Sequence, residues 1–173
     1  MKAVVFLLAL TVLSAAETKQ ERGKKVVDEA LQALGGQAFL EMKDRIEDGR
    51  AYSFYREQLT GLAVAKVATR YLSAPVNGIA QRERQAFGKD EDSVILFRED
   101  GAYQITYRGA KPLADDRYAR YLESTRRNIF YILRNRLNEP GLLFEYKGAH
   151  VWQNNPVEVV DLIDADNNVT TVY

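Results

Sequence analysis

The sequence predicts an α+β protein: an N-terminal helix, a run of antiparallel strands, one long embedded helix, and more antiparallel strands. Three observations carry this. Apolar residues recur at spacings of three and four in two stretches of the mature chain, around Val26–Leu34 and from Tyr118 to Leu137, while most of the rest alternates with a period of two. The strand-like segments follow one another in meandering runs instead of alternating with helices, which argues against a parallel, doubly wound sheet. The composition supports a core, with 46% of the 173 residues hydrophobic, 10% aromatic and only 4 prolines.

Residues 1–16 stand apart from this pattern. Met1-Lys2 precedes an uncharged apolar run from Ala3 to Leu13, and Ser14-Ala15-Ala16 supplies small residues at a cleavage position. This is the layout of a secretory signal cut after Ala16, and the run is well short of the ~20 residues that span a bilayer. Of the 24 Lys and Arg, removal of Lys2 leaves 23 against 24 Asp and Glu, a net charge of −1. A mature domain over residues 17–173 is expected in the periplasm, outside any membrane.

Glu17 to Lys25 is polar and expected to fray. Val26, Val27, Ala30, Leu31 and Leu34 then form one helical face, ended by Gly35-Gly36. From Arg45 the period is two, with Tyr52 and Phe54 on one face and Ala51, Ser53 and Tyr55 on the other. Thr60-Gly61 reads as a turn, Leu62 to Leu72 as the next strand, and Ala74-Pro75-Val76-Asn77-Gly78 as a break. Ile79 to Phe87 alternates Gln81, Glu83 and Gln85 with Arg82 and Arg84. A strand this polar is expected at a sheet edge or as one wall of an open sheet.

Gly88 to Asp92 is a polar loop, and Ser93–Phe97 and Tyr103–Tyr107 form a hairpin through Glu99-Asp100-Gly101. The long helix follows, started by Asp115 or Asp116. Its stripe is Tyr118, Tyr121, Leu122, Thr125, Ile129, Ile132, Leu133 and Leu137, and Asn138-Glu139-Pro140-Gly141 ends it. Leu142–Tyr146, Val151–Gln153, Val157–Ile163 and Val169–Tyr173 are short strands. No repeat, low-complexity tract or interior linker marks a domain boundary. The last strand pattern stops without a turn or polar tail, so further strands are expected to follow in a longer product.

Several chemistries are excluded by what the chain lacks. With 0 cysteines there is no thiol nucleophile, Cys-zinc site, disulfide or cysteine-linked lipid anchor. Balanced charge and a pI near 6.6 argue against nucleic acid as a partner. His150 is the 1 histidine and has no recognisable triad or metal partners, so it reads as a structural or surface residue. Asp161, Asp164 and Asp166 fail the calcium-loop pattern, because Val169 stands where its glycine belongs, and a hairpin turn is the better reading. The sequon at Asn168 lies in a strand and reads as accidental. Glu83, Glu139, Glu145 and Glu158 include no pair singled out by spacing, and Gly35-Gly36 follows a helix where a phosphate loop would precede one. No enzyme activity, metal or cofactor is expected.

Two features remain. An open sheet with large apolar side chains needs a cover, and the two amphipathic helices are the available covers. The gap between them becomes a pocket for an apolar ligand, with Tyr52, Phe54, Val64, Val67, Ile105, Tyr107, Tyr121, Ile129 and Leu133 as candidate lining. The long helix also holds six arginines against three acids. Arg120, Arg126, Arg127 and Arg134 are the candidate contact surface for a lipid headgroup or an acidic protein of the envelope.

With Ala33-Leu34-Gly35-Gly36, the spaced Leu40, Lys43-Asp44, alternating strands, an embedded helix and further strands, the chain resembles the bacterial outer-membrane lipoprotein-sorting (LolA/LolB-like) family. The resemblance covers most of the mature chain by element order. It implies a half-open antiparallel barrel or curved sheet, closed on its concave face by helices around an apolar cavity. It also implies a carrier for lipid or lipoprotein acyl chains that performs no chemistry. The alternative from the residues themselves is an envelope interaction or sensing module with a dry core and the Arg-rich helix as its contact surface.

Overall fold

The computed structural model describes residues 17–76 and 78–173, so residues 1–16, the expected secretory signal, and Asn77 lie outside the described residues. The chain is α+β with antiparallel sheets, and it divides into two compact units, residues 28–142 and residues 17–27 with 143–173. The division falls within the first helix, α1 (Lys19–Ala33). No closed barrel is present among the described residues, where the strands form one sheet of six and one of three.

α1 begins with a reciprocal cap. The Thr18 hydroxyl accepts from the Glu21 amide at 3.1 Å, and the Glu21 carboxylate accepts from the Thr18 amide at 2.8 Å. The Thr18 amide, and less strongly the Thr18 hydroxyl that donates to the same carboxylate at 2.9 Å, hold the Glu21 carboxyl below its usual range. Far from fraying, the polar start of the helix is ordered by this pair. Gly35 and Gly36 end α1 as expected. Their amides reach back to the Gln32 and Leu31 carbonyls at 3.0 and 2.9 Å, with φ of +112° and +54° that a side chain would resist.

In the larger unit a short helix, α2 (Gln37–Glu41), leads into a six-stranded meander. Its strands are β1 (Asp44–Tyr55), β2 (Gln58–Val76), β3 (Ile79–Phe87), β4 (Ser93–Arg98), β5 (Gly101–Thr106) and β6 (Gly109–Pro112). The expected hairpin of β4 and β5 forms, with Glu99-Asp100 as its two-residue turn and Gly101 opening β5 opposite Arg98. The first hairpin, however, turns at Arg56-Glu57 and not at Thr60-Gly61. Arg56 and Glu57 adopt φ of +46° and +64°, and the Thr60 region instead absorbs a bulge in the pairing of β1 with β2. β2 runs through the expected break at Ala74-Pro75, although its pairing with β3 lapses between Tyr71 and Val76. β3 lies inside the sheet between β2 and β4, so its polarity does not mark an edge.

The expected long helix is two helices, α3 (Asp115–Arg126) and α4 (Ile129–Asn135). Asn128 causes the break. Its side chain accepts from the Phe130 and Tyr131 amides at 2.9 and 3.4 Å, which makes it the cap of a new helix rather than an interior residue. Asp115 and Asp116 occupy the first turn of α3, but the cap position is Ala114, which gives no side-chain bond. The core of this unit gathers Ile79, Ala80, Phe97, Ala102, Tyr121 and Tyr131. Phe97 stacks on Tyr121 with centroids 3.8 Å apart, and the Tyr131 hydroxyl accepts from the Ala80 amide at 3.1 Å.

The smaller unit holds the three-stranded sheet β7 (Leu143–Trp152), β8 (Asn155–Ile163) and β9 (Val169–Val172). β7 is one strand where two were expected, because the bulge at Lys147 carries it past the weak center of the pattern. The turn into β8 is Gln153-Asn154, again with two positive φ values, and Asp164 closes the next turn by accepting from the Asn168 amide at 2.9 Å. Within this unit the start of α1 lies against β7. Gln20 accepts from the Phe144 amide at 2.6 Å, Arg22 pairs with Glu158 at 3.1 Å, and Gly23 is buried at the closest approach to the strand.

Candidate functional site

The register of the six-stranded sheet sorts its side chains into two chemically different faces. Across β1 to β5, Arg45 pairs with Thr69, Thr69 with Glu83, Glu83 with Phe97 and Phe97 with Ala102, so these share one face with Val67, Tyr71, Gln81 and Gln85. This is the face that α3 covers, as the stacking of Phe97 on Tyr121 shows. The opposite face carries Ile46, Tyr52, Leu62, Val64, Ala68 and Leu96 together with Arg70, Arg82 and Arg84.

The space beneath α3 and α4 is therefore polar. It is a pocket of about 170 Å³ lined by Arg45, Tyr71, Gln81, Glu83, Gln85, Tyr121, Ser124, Thr125, Asn128 and Phe130. The Glu83 carboxylate accepts from Gln85 Nε2 at 2.6 Å and from Gln81 Nε2 at 3.4 Å. Burial pushes the Glu83 carboxyl above its usual range, more than the Gln85 bond and Arg45 pull it down. Burial likewise lifts the Tyr121 hydroxyl well above the usual tyrosine range. Because Glu83 ionises less readily folded than unfolded, stability falls as pH rises from the unfolded carboxylate pKa through the folded one. Glu83→Gln should thus match the parent in denaturant melts below pH 4 and exceed it at neutral pH; an equal or lower midpoint at neutral pH would contradict this.

The outer face is different. A groove of about 530 Å³ there has Ile46, Ala68 and Leu96 in its floor and Asp44, Arg70, Arg82 and Arg84 around it. Its arginines are held by carboxylates. Arg70 meets Asp44 at 2.7 Å, Arg84 meets Glu91 at 2.9 Å, and Arg82 Nε meets Glu99 at 2.7 Å. Arg82 is the main cause that holds the Glu99 carboxyl down at about 2. Farther along the same face Tyr52, Phe54, Leu59, Leu62 and Val64 are all more than half exposed, interrupted by Arg50 and by the Asp48–Lys66 pair at 3.8 Å. From Ile46 to Tyr52 this strip is about 20 Å long at ~3.3 Å per residue.

The nine residues expected to line one apolar cavity do not come together. Tyr121 and Leu133 are buried, and Val67, Ile105 and Ile129 are partly buried. Tyr52, Phe54 and Val64 lie on the outer face, and Tyr107 stands 87% exposed at the turn after β5. Of the nine only Tyr121 lines the polar pocket, and none lines the groove. Alternation reveals that a strand has two faces, but the register and the covering helices decide which one is inside.

The arginines also divide. Arg120 and Arg127 pair with Asp116 and Glu123 one turn back, at 2.7 and 2.8 Å, and Arg126 is exposed in the last turn of α3. Arg134 is half-buried and does not belong to an outward surface. It donates to the Phe39 and Met42 carbonyls, tying α4 to the end of α2, and its guanidinium lies 3.9 Å from the centre of the Tyr71 ring. Sequence reasoning passed over Arg45, Gln81, Glu83 and Gln85 as site residues. The signal was present, since a strand polar on both sides in the middle of a sheet requires polar surroundings on its covered face. Among the described residues no cluster of three or more His, Asp or Glu is arranged to hold a metal ion. No helix among them is long and apolar enough to cross a membrane. Comparison with protein-family models, with curated proteins and with solved structures found no match for this chain.

Proposed function

We propose that this is a non-enzymatic binding protein of the bacterial periplasm that carries an apolar ligand, a lipid or lipoprotein acyl chain, in the manner of the outer-membrane lipoprotein-sorting family. The ligand lies on the outer face of the six-stranded sheet, not beneath its helices. The observation that carries this reading is the groove floored by Ile46, Ala68 and Leu96, continued by the exposed strip of Tyr52, Leu62 and Val64. A groove of this size falls within the ~300–1,000 Å³ range of small-molecule sites. Leu62 and Val64 are a little more than half exposed, so covering each with an acyl chain is worth roughly 1–1.5 kcal/mol, about half the value for full burial. The arginines around the groove are already paired with carboxylates, so its apolar floor and the exposed strip carry the affinity. The reading as an envelope interaction module has less support, because Arg120 and Arg127 are spent on intrahelical pairs and Arg134 on backbone carbonyls.

Titration with a fluorescent fatty acid tests the proposal. The parent protein should bind, and Leu62→Asp with Val64→Asp should weaken binding at least about tenfold while leaving the melting temperature unchanged, since both side chains are exposed. Absence of binding by the parent, or undiminished binding by the double variant, would overturn it.

A further inference from the structure

The polar pocket beneath α3 and α4 has no part in carrying an acyl chain on the opposite face, and its chemistry is incomplete within the protein. Five buried side-chain polar atoms of the described residues make no hydrogen bond: Arg45 Nε and Nη1, Thr69 Oγ1 and the hydroxyls of Tyr71 and Tyr118. Three of the five belong to Arg45 and Tyr71, which line this one pocket. Leaving a buried donor without a partner costs about 1–3 kcal/mol, and more for a charged group. Such a cluster marks a place where a partner from outside the chain is accommodated.

The nature of that partner follows from the charges. Arg45 stacks its guanidinium 4.4 Å from the centre of the Phe130 ring, and only Nη2 is used in its pair with Glu47 at 2.8 Å. Arg134, on the other side of Tyr71, bonds carbonyl oxygens and not a carboxylate. Glu83 makes no hydrogen bond to these donors and accepts instead from Gln81 and Gln85. The unmet groups are thus guanidinium and hydroxyl donors in surroundings of two arginines and two glutamates, one glutamate spent on Arg45 and the other on carboxamides. They call for a compact hydrogen-bond acceptor, and a carboxylate matches the fork of a guanidinium best. The Phe130 and Tyr121 side chains also line the pocket, each with one ring face already taken, by the Arg45 guanidinium and by Phe97. The volume of about 170 Å³ is several times the ~30 Å³ of a water molecule, yet too small for a lipid tail.

We propose that this pocket is a binding site for a small organic carboxylate, its carboxylate received by Arg45 and the Tyr71 hydroxyl and its remaining atoms held against Phe130. The site is separate from the acyl-chain groove and stands or falls independently of it.

Thermal melts of the full mature chain with acetate, lactate and benzoate, each compared with acetamide and benzamide at equal ionic strength set by sodium chloride, test the proposal. At least one carboxylate should raise the melting temperature in a saturable way, and the amides should not. Tyr71→Phe keeps the ring against Arg134 and removes only the hydroxyl. It should fold as the parent does and weaken the carboxylate about tenfold, the loss expected for one bond to a charged group. Arg45→Lys should weaken it further. No saturable shift with any carboxylate up to tens of millimolar means that the pocket takes water alone, and the proposal fails. Equal shifts with carboxylates and amides, or unchanged affinity in Tyr71→Phe, would overturn it as well.

Discussion

Gly23→Ala is expected to destabilise the protein, although alanine is the better helix former by about 1 kcal/mol. A Cβ at this position would stand 2.5 Å from the Phe144 carbonyl oxygen and 2.9 Å from its carbon. Both are backbone atoms of β7, which the sheet holds in place, so no side-chain rotation relieves the clash. Overpacking of this kind costs about 1–3 kcal/mol, and occasionally more. Because the helix and strand must part to admit a methyl group, a net loss of up to about 2 kcal/mol should remain after the gain in helix propensity. The 1 tryptophan of the chain makes the measurement direct. Trp152 stacks with Tyr173 at 5.1 Å in the same unit, so urea unfolding followed by its fluorescence should shift to a lower midpoint. A higher midpoint would mean that helix propensity outweighs the close packing.

The second large effect lies in the other unit. Phe97→Ala should cost about 3–5 kcal/mol, the range for deleting a buried aromatic side chain. Phe97 is 6% exposed and stacks with Tyr121 at an interplanar angle of 7°. Its loss removes the ring that seats α3 on β4 and leaves a cavity bounded by Ala102 and Tyr121. Circular dichroism melts should show a large fall in the transition temperature. Phe97→Leu should restore much of it, because it refills most of the volume without the stack. A Phe97→Ala loss below about 1 kcal/mol would show that the helix is held mainly by its other contacts.

Where local chemistry decides the structure, the sequence is legible. The Gly35-Gly36 stop, the hairpin through Glu99-Asp100, the turn at Asp164 and the succession of helical and strand-rich stretches could be read from residue type and period, whereas the short α2 and β6 could not. The turn at Arg56-Glu57 could not, because its residues carry no glycine to signal positive φ, while the one at Gln153-Asn154 falls within one residue of the break expected between the strands ending at Gln153 and starting at Val157. The break at Asn128 was open to inference, since an asparagine in a helical stripe competes for the amides that follow it. The site is harder to read. Val64 and Val67 are an odd number of residues apart on one strand, so they cannot share a face, and placing both in one cavity already conflicted with the period of two. What the sequence left open was the register, which puts Arg45 beside Thr69 and Glu83 beneath α3. Register depends on pairings between residues distant in sequence, and two ladders of opposite polarity are equally compatible with alternation alone.

The turns without glycine bear on how the chain folds. Each holds two side-chain-bearing residues in the left-handed region, at about 1–3 kcal/mol per residue. An Asn-Gly turn would close first and let the strands zip outward from it. At Arg56-Glu57 and Gln153-Asn154 the loop is the unfavourable part of its hairpin, so the pairing of the strands has to outweigh it before the hairpin is stable.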